Sequence, residues 1–181
     1  MIISQENLVE LLNMDLELET TGAIQCINHS AMLTGVACGD IARVLRIYTY
    51  KKIEHAITLA DQIKYFGGFP SIRVGTVHTS TDNEEMLLLD FEDRQDAIQR
   101  YRIRIEQAEQ LKEMELSRRL RMILRVEQQH AMYLKKQVGA GARATEGTNH
   151  TSMNACDFSQ RWAENAAKVP IRFKKQNYTE S

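Results

Sequence analysis

Residues 126–134 read VEQQHAMYL, near the end of the longest helical pattern in this 181-residue chain. Glu127 and His130 stand three residues apart, so on a helix they share one face. A glutamate and a histidine on one face can converge on a single metal ion inside a bundle of helices. The stretch therefore predicts a long helix that carries a polar pair towards an interior.

A second stretch, residues 51–59, reads KKIEHAITL and repeats this frame with one change. Its pair is Lys52 and His55, again three residues apart, but the first residue is a cation instead of a carboxylate. We therefore expect a second helix with a related polar pair of different charge.

Two further charged residues stand at matching distances before these pairs. The interval along the chain from Glu19 to Lys52 equals the interval from Arg94 to Glu127. The chain thus repeats one pattern twice: a charged residue, the same long interval, then a charged residue followed by histidine. This repeat predicts two similar helical hairpins that contribute to one shared site.

Apolar residues at helical spacing predict four long helices. Their expected ranges are about 4–35, 39–66, 82–110 and 114–138. The chain holds only two prolines, Pro70 and Pro170, so nothing obliges these helices to break. We predict an all-α four-helix bundle in residues 1–138.

The connection between the second and third helices decides the topology. It has about 16 residues without a helical pattern, and when extended it spans about 50 Å. Such a segment can run the length of the bundle, so helices two and three can be parallel, as in the ferritin-like arrangement. Residues 139–181 differ in composition and are predicted to form a flexible C-terminal tail, compatible with one short helix.

Composition argues against several partners. The net charge is −1 and the three cysteines form no CxxC pair, which favours a cytoplasmic protein with reduced thiols. We expect no nucleic-acid partner and no membrane partner, since neither a basic patch nor a long apolar run occurs. His29 and His78 are expected to be surface or loop histidines.

Four stretches follow one another in an order that carries a family resemblance. They are ELETTGAIQCINHSAM (17–32), KKIEHAITLADQIKYFGGFP (51–70), EEMLLLDFEDRQDAIQRYRIRIEQAE (84–109) and ILRVEQQHAMYL (123–134). With the matched intervals and the long crossover, the chain resembles bacterioferritins and related archaeal ferritin-like proteins over about residues 4–136. The resemblance implies ferrous iron oxidation at a di-iron site within each subunit and iron storage in a hollow shell.

The resemblance also implies which residues would bind metal. Glu19 matches the terminal glutamate of the first helix, and His55 the histidine of the second. Glu127 and His130 match the bridging glutamate and the histidine of the fourth. These four residues are the remnant metal ligands that the resemblance implies.

Two positions depart from the family pattern. Lys52 stands where the second helix would carry its bridging glutamate, and Arg94 where the third would carry its terminal glutamate. A like charge at 4 Å costs about 4 kcal/mol at an effective dielectric of 20, so both cations oppose a divalent ion. We expect them to form salt bridges with Glu19 and Glu127, and we expect weak iron binding or none.

The resemblance also leads to expectations about haem and about partners. The family places its haem-ligating methionine directly after the second-helix glutamate, and here that position is Ile53, so we expect no haem bound in that way. The resemblance implies a homo-oligomer, or a hetero-oligomer with an active ferritin-like subunit.

Three functions stay open at this point. The first is a ferritin-like iron-storage or iron-handling protein with a degenerate ferroxidase centre and lost or weak oxidation. The second is a metal-free ferritin-like structural or interaction module. The third is an enzyme with one metal ion on Glu19, His55, Glu127 and His130.

Overall fold

The computed structural model describes residues 3–35 and 38–144, which form four long helices. These are α1 (Gln5–Met32), α2 (Cys38–Tyr65), α3 (Asn83–Gln110) and α4 (Met114–Ala144). The prediction of an all-α bundle is confirmed. Helix α4 continues six residues beyond the predicted end at Val138, and the rest of the predicted tail, with its short helix, lies outside the described residues.

Local chemistry sets the ends of these helices. The Ser4 side chain caps α1 by accepting from the backbone N–H of Asn7 at 3.2 Å, and Asp82 caps α3 by accepting from Glu85 at 2.8 Å. Helix α2 ends at Tyr65, and Gly67 follows it with a φ of 78°, in the left-handed region that glycine adopts without strain.

The buried apolar residues form two clusters, which reveal the helix directions. A large cluster includes Leu12, Leu59, Ile105 and Leu120, and a small cluster includes Cys26, Leu45, Leu87 and Leu134. Along α1 and α4 the chain passes from the large cluster to the small one, whereas along α2 and α3 it passes the other way. Helices α2 and α3 are therefore parallel, as the long crossover predicts, and a polar layer lies between the two clusters.

The crossover, residues 66–82, follows α1 along a ladder of polar side chains spaced four residues apart. The ladder consists of Asn13, Glu17, Thr21 and Gln25. Asn13 binds both Phe69 and Ser71, Glu17 binds Ser71 and Arg73, Thr21 binds Gly75, and Gln25 binds His78. This ladder fixes the path of the crossover beside the polar layer.

Among residues 3–35 and 38–144, none of the helices combines the length and the apolar character that crossing a bilayer requires.

Candidate functional site

All four helices contribute to a buried polar layer at the middle of the bundle. Each of its six residues is no more than 5% exposed. They are Glu19 from α1, Lys52 and His55 from α2, Arg94 from α3, and Glu127 and His130 from α4. The two equal intervals thus bring together the six positions that the sequence singled out.

Lys52 lies at the centre of this layer. Its Nζ is 3.0 Å from Glu19 Oε2 and 3.1 Å from Glu127 Oε1. The ammonium therefore bridges carboxylates from α1 and α4, and both contacts are charge-assisted.

His55 contacts the same two oxygens. Its Nδ1 is 3.2 Å from Glu19 Oε2 and 3.3 Å from Glu127 Oε1. The imidazole and the ammonium of Lys52, one helical turn apart on α2, thus share both carboxylates.

Arg94 holds the remaining oxygen of Glu127. Its NH1 is 3.4 Å from Glu127 Oε2, while its NH2 lies 3.5 Å from the sulfur of Cys26. Arg94 therefore pairs with one of the two glutamates, and its second contact is to a neutral thiol.

Tyr101 completes the surroundings of Glu19. Its hydroxyl donates to Glu19 Oε1 at 2.8 Å from a fully buried ring on α3. Tyr101 is not among the positions that the sequence motifs single out, although it stands seven residues after Arg94, two turns along the same helix face.

The last member of this layer, His130, lies against an aromatic ring of α2. Its ring stacks on Tyr48, with centroids 3.5 Å apart and planes inclined by 27°. Of the four remnant ligands, Glu19, His55 and Glu127 have donor atoms within 4.8 Å of one another, and that group does not include His130.

The pKa values in this layer reflect burial opposed by neighbouring charges. Burial raises the pKa of Glu127, but the charge of Arg94 and the hydrogen bond with His55 outweigh that effect and lower the pKa to about 2. Burial lowers the pKa of His55, whereas its hydrogen bonds with Glu127 and Glu19 raise it to about 9. Burial lowers the pKa of His130 to about 3, and Arg94 adds to that effect. At neutral pH Glu127 is therefore ionised, His55 is protonated and His130 is neutral.

Both glutamates of this layer are already paired with side-chain cations. Lys52 Nζ contacts Glu19 Oε2 and Glu127 Oε1, carboxylate oxygens that could otherwise hold a metal ion. A divalent ion there would also face the buried guanidinium of Arg94. Four carboxylates would offset the charge of two ferrous ions, but here the two carboxylates already pair with side-chain cations.

Neighbouring carboxylates do not replace the missing ones. Glu17 binds the crossover, Glu54 pairs with Lys51 at 2.7 Å, and Glu92 is exposed. Each lies at a helix position that points away from the polar layer.

A second buried polar group lies towards the small cluster, and it corrects the expectation that His29 is a surface histidine. His29 is 0% exposed, with Nδ1 3.0 Å from Asp90 Oδ1 and Nε2 3.1 Å from the carbonyl of His78 in the crossover. Gln25 donates to Asp90 at 3.0 Å. His29 continues the four-residue ladder of α1, a spacing that is visible in the sequence. His78 itself is exposed, as expected.

Two cavities approach the polar layer from different sides. One of about 230 Å³ is lined by Lys52 and Arg94 and by residues of α1, the crossover and α3. The other, of about 520 Å³, lies between α2 and α4 and includes His55 in its wall. The layer is thus adjacent to open space on both sides.

Comparison with known proteins agrees with this architecture. A family model described as a ferritin-like domain matches residues 9–144. Among curated proteins, no sequence match was significant.

Solved structures give the same result. A structure described as ferritin-like, diiron-carboxylate proteins from Bacillus anthracis is 28% identical, with a TM-score of 0.72 over 75% of this chain and 99% of that one. The bacterioferritin BfrA of Mycobacterium tuberculosis is 23% identical, with a TM-score of 0.71 over 76% of this chain and 87% of that one. A mycobacterial bacterioferritin is 21% identical, with a TM-score of 0.71 over 86% of this chain and 91% of that one. The last two likenesses establish the fold alone.

Proposed function

The chain belongs to the ferritin-like family, whose domain model spans residues 9–144, and from this premise we propose that it is an iron-handling protein in which an internal ion-pair cluster has replaced the di-iron centre. The cluster consists of Glu19, Lys52, His55, Arg94 and Glu127. The ferroxidase activity of the protein is accordingly lost or weak. Iron in this proposal is the substrate and cargo of the protein.

One observation carries the proposal. Lys52 Nζ lies 3.0 Å and 3.1 Å from carboxylate oxygens of two different helices. An ammonium held by both partners at 2% exposure is a buried ion pair, and removing it from its partners to admit a metal would leave an uncompensated charge. The protein thus satisfies with its own side chains the negative charge that a metal would otherwise neutralise.

The role in storage depends on assembly. We propose that the chain forms a homo-oligomeric shell that stores iron, or that it is the silent subunit of a hetero-oligomer with an active ferritin-like subunit. Exposed apolar side chains on α1 and α2 support such contacts. Ile24 is 40% exposed, Ile27 54%, Ile53 44% and Ile57 57%, and apolar groups on adjacent turns favour protein–protein contact.

The experiment compares the wild type with K52E/R94E, which restores four carboxylates. We expect ferrous iron, titrated without oxygen, to bind K52E/R94E and raise its melting temperature, while the wild type shows neither effect. On exposure to oxygen, K52E/R94E should oxidise iron faster than the wild type. The matched control is K51E/R102E, which makes the same change of charge outside the buried layer.

If K52E/R94E folds poorly, iron binding and oxidation by the wild type alone still test the proposal. Tight binding of two ferrous ions per wild-type chain, with rapid oxidation, would contradict it. One tight ion per chain would favour a mononuclear site on Glu19, His55 and Glu127.

Storage is tested separately. Light scattering combined with size-exclusion chromatography measures the assembly, and aerobic loading measures the iron retained per chain. A large assembly that retains iron supports storage. A small assembly without iron would favour a metal-free structural or interaction module instead.

A further inference from the structure

The pocket between α2 and α4 is of the size that binds small molecules. Its volume is about 520 Å³, within the range of roughly 300–1,000 Å³ that small-molecule sites occupy. Its wall consists of α2 and α4 residues, among them the cations Lys51, Arg118, Arg119 and Arg125 and the protonated His55. Within the part of the chain that the structure describes, Glu54 contributes the one carboxylate of this wall.

Neighbouring carboxylates neutralise this positive charge only in part. Arg118 and Arg119 share one exposed carboxylate, that of Glu115, at 2.9 Å and 3.0 Å. Exposed pairs of this kind are weak and exchange readily with other anions.

Two further cations of the wall, Lys51 and Arg125, differ in how far their charge is compensated. Lys51 pairs with Glu54 at 2.7 Å. Arg125 makes no ion pair or hydrogen bond with any residue in 3–35 or 38–144, and it lies seven residues after Arg118 on the same face of α4. The pocket therefore holds a guanidinium without a carboxylate partner in the described residues, beside cations that are only partly compensated.

We propose that the α2–α4 pocket binds a small, multiply charged oxyanion of the phosphate class. The planar fork of a guanidinium matches the oxygens of phosphate, and several cations around one cavity favour a polyvalent ligand over a single carboxylate. A pocket of about 520 Å³ fits a small molecule better than an acidic protein surface. This inference goes beyond the proposed role in iron handling and does not depend on it.

Isothermal titration calorimetry tests the proposal, in a buffer free of phosphate and sulfate. The two probes are inorganic phosphate and the monoester glycerol 3-phosphate, which distinguish a free anion from an organic phosphate. We expect at least one to bind, with an affinity that falls as sodium chloride is raised. R125Q should weaken that binding at least tenfold.

The matched control is R102Q, which removes an exposed guanidinium of α3 that also makes no ion pair within the described residues. It should change the affinity less than twofold. Absence of binding by both probes would overturn the proposal, as would equal weakening by R125Q and R102Q, because that result indicates a general charge effect.

Discussion

Replacing Lys52 with methionine removes the central ammonium and keeps a side chain of similar length. Lys52 Nζ is 3.0 Å from Glu19 Oε2 and 3.1 Å from Glu127 Oε1. At an effective dielectric of 20, each contact corresponds to about 5 kcal/mol of attraction. Part of this attraction is offset because burial removes the ammonium from water. Loss of one partner of a buried pair leaves a net destabilisation of about 3–5 kcal/mol.

Urea unfolding followed by circular dichroism measures this loss, at pH 7 and one fixed protein concentration. We expect the midpoint of K52M to fall while the slope stays unchanged, since the fold buries the same surface. The matched control is K51M. Lys51 is the adjacent residue, and its pair with Glu54 is 23% and 54% exposed, so the control should cost less than about 1 kcal/mol.

The difference between K52M and K51M in the free energy of unfolding tests the role of the buried ion pairs. If K52M costs no more than K51M, the buried pairs are not what balances the two carboxylates, and the account of the polar layer is wrong.

Two other predictions concern the pH dependence and the crossover. The pKa of His55 is raised to about 9. Its contribution of about 3 kcal/mol to the free energy of unfolding is therefore complete below pH 6.5 and is lost as the pH rises through 9. Urea unfolding should show this decline in the wild type but not in H55Q. Asn13→Ala removes both side-chain hydrogen bonds to the crossover, at Phe69 and Ser71. Hydrogen exchange in residues 69–73 should then accelerate about thirtyfold, because two bonds at about 1 kcal/mol each are lost. Equal acceleration in residues 76–79 would contradict the ladder, since Gly75 and His78 bind Thr21 and Gln25 instead.

Much of the fold was predictable because its signals are local. Capping by Ser4 and Asp82, apolar spacing along each helix and the break after residue 110 depend only on neighbouring residues. The parallel course of α2 and α3 followed from the length of the crossover, since a short turn could not span the bundle.

The polar layer was predictable for a different reason. Two equal intervals in two hairpins place Glu19 with Lys52 and Arg94 with Glu127 at the same level. Spacing along the chain does not determine which side chain contacts which, however. The sequence predicted salt bridges of Lys52 and Arg94 with the two glutamates, but not which cation pairs with which carboxylate. It also did not indicate that Arg94 contacts Cys26, or that the ring of His130 stacks on Tyr48.

The residues that were missed belong to contacts between separate elements. Tyr101 fits an apolar pattern until Glu19 is placed opposite its hydroxyl. The expectation of a surface position for His29 is wrong because its partners, Asp90 and the carbonyl of His78, come from α3 and the crossover. The four-residue spacing of polar residues on α1 is visible in the sequence, but the binding partners of these residues depend on the path of the crossover.

The central claim is that Lys52 and Arg94 neutralise the two buried glutamates in place of metal. Anomalous X-ray scattering at the iron edge, on crystals soaked aerobically in ferrous iron, tests it most directly. We predict no anomalous peak in the volume between Glu19, Lys52 and Glu127, with the ammonium still in contact with both carboxylates. Two peaks in that volume, with Lys52 displaced, would contradict the claim and indicate an ordinary di-iron centre.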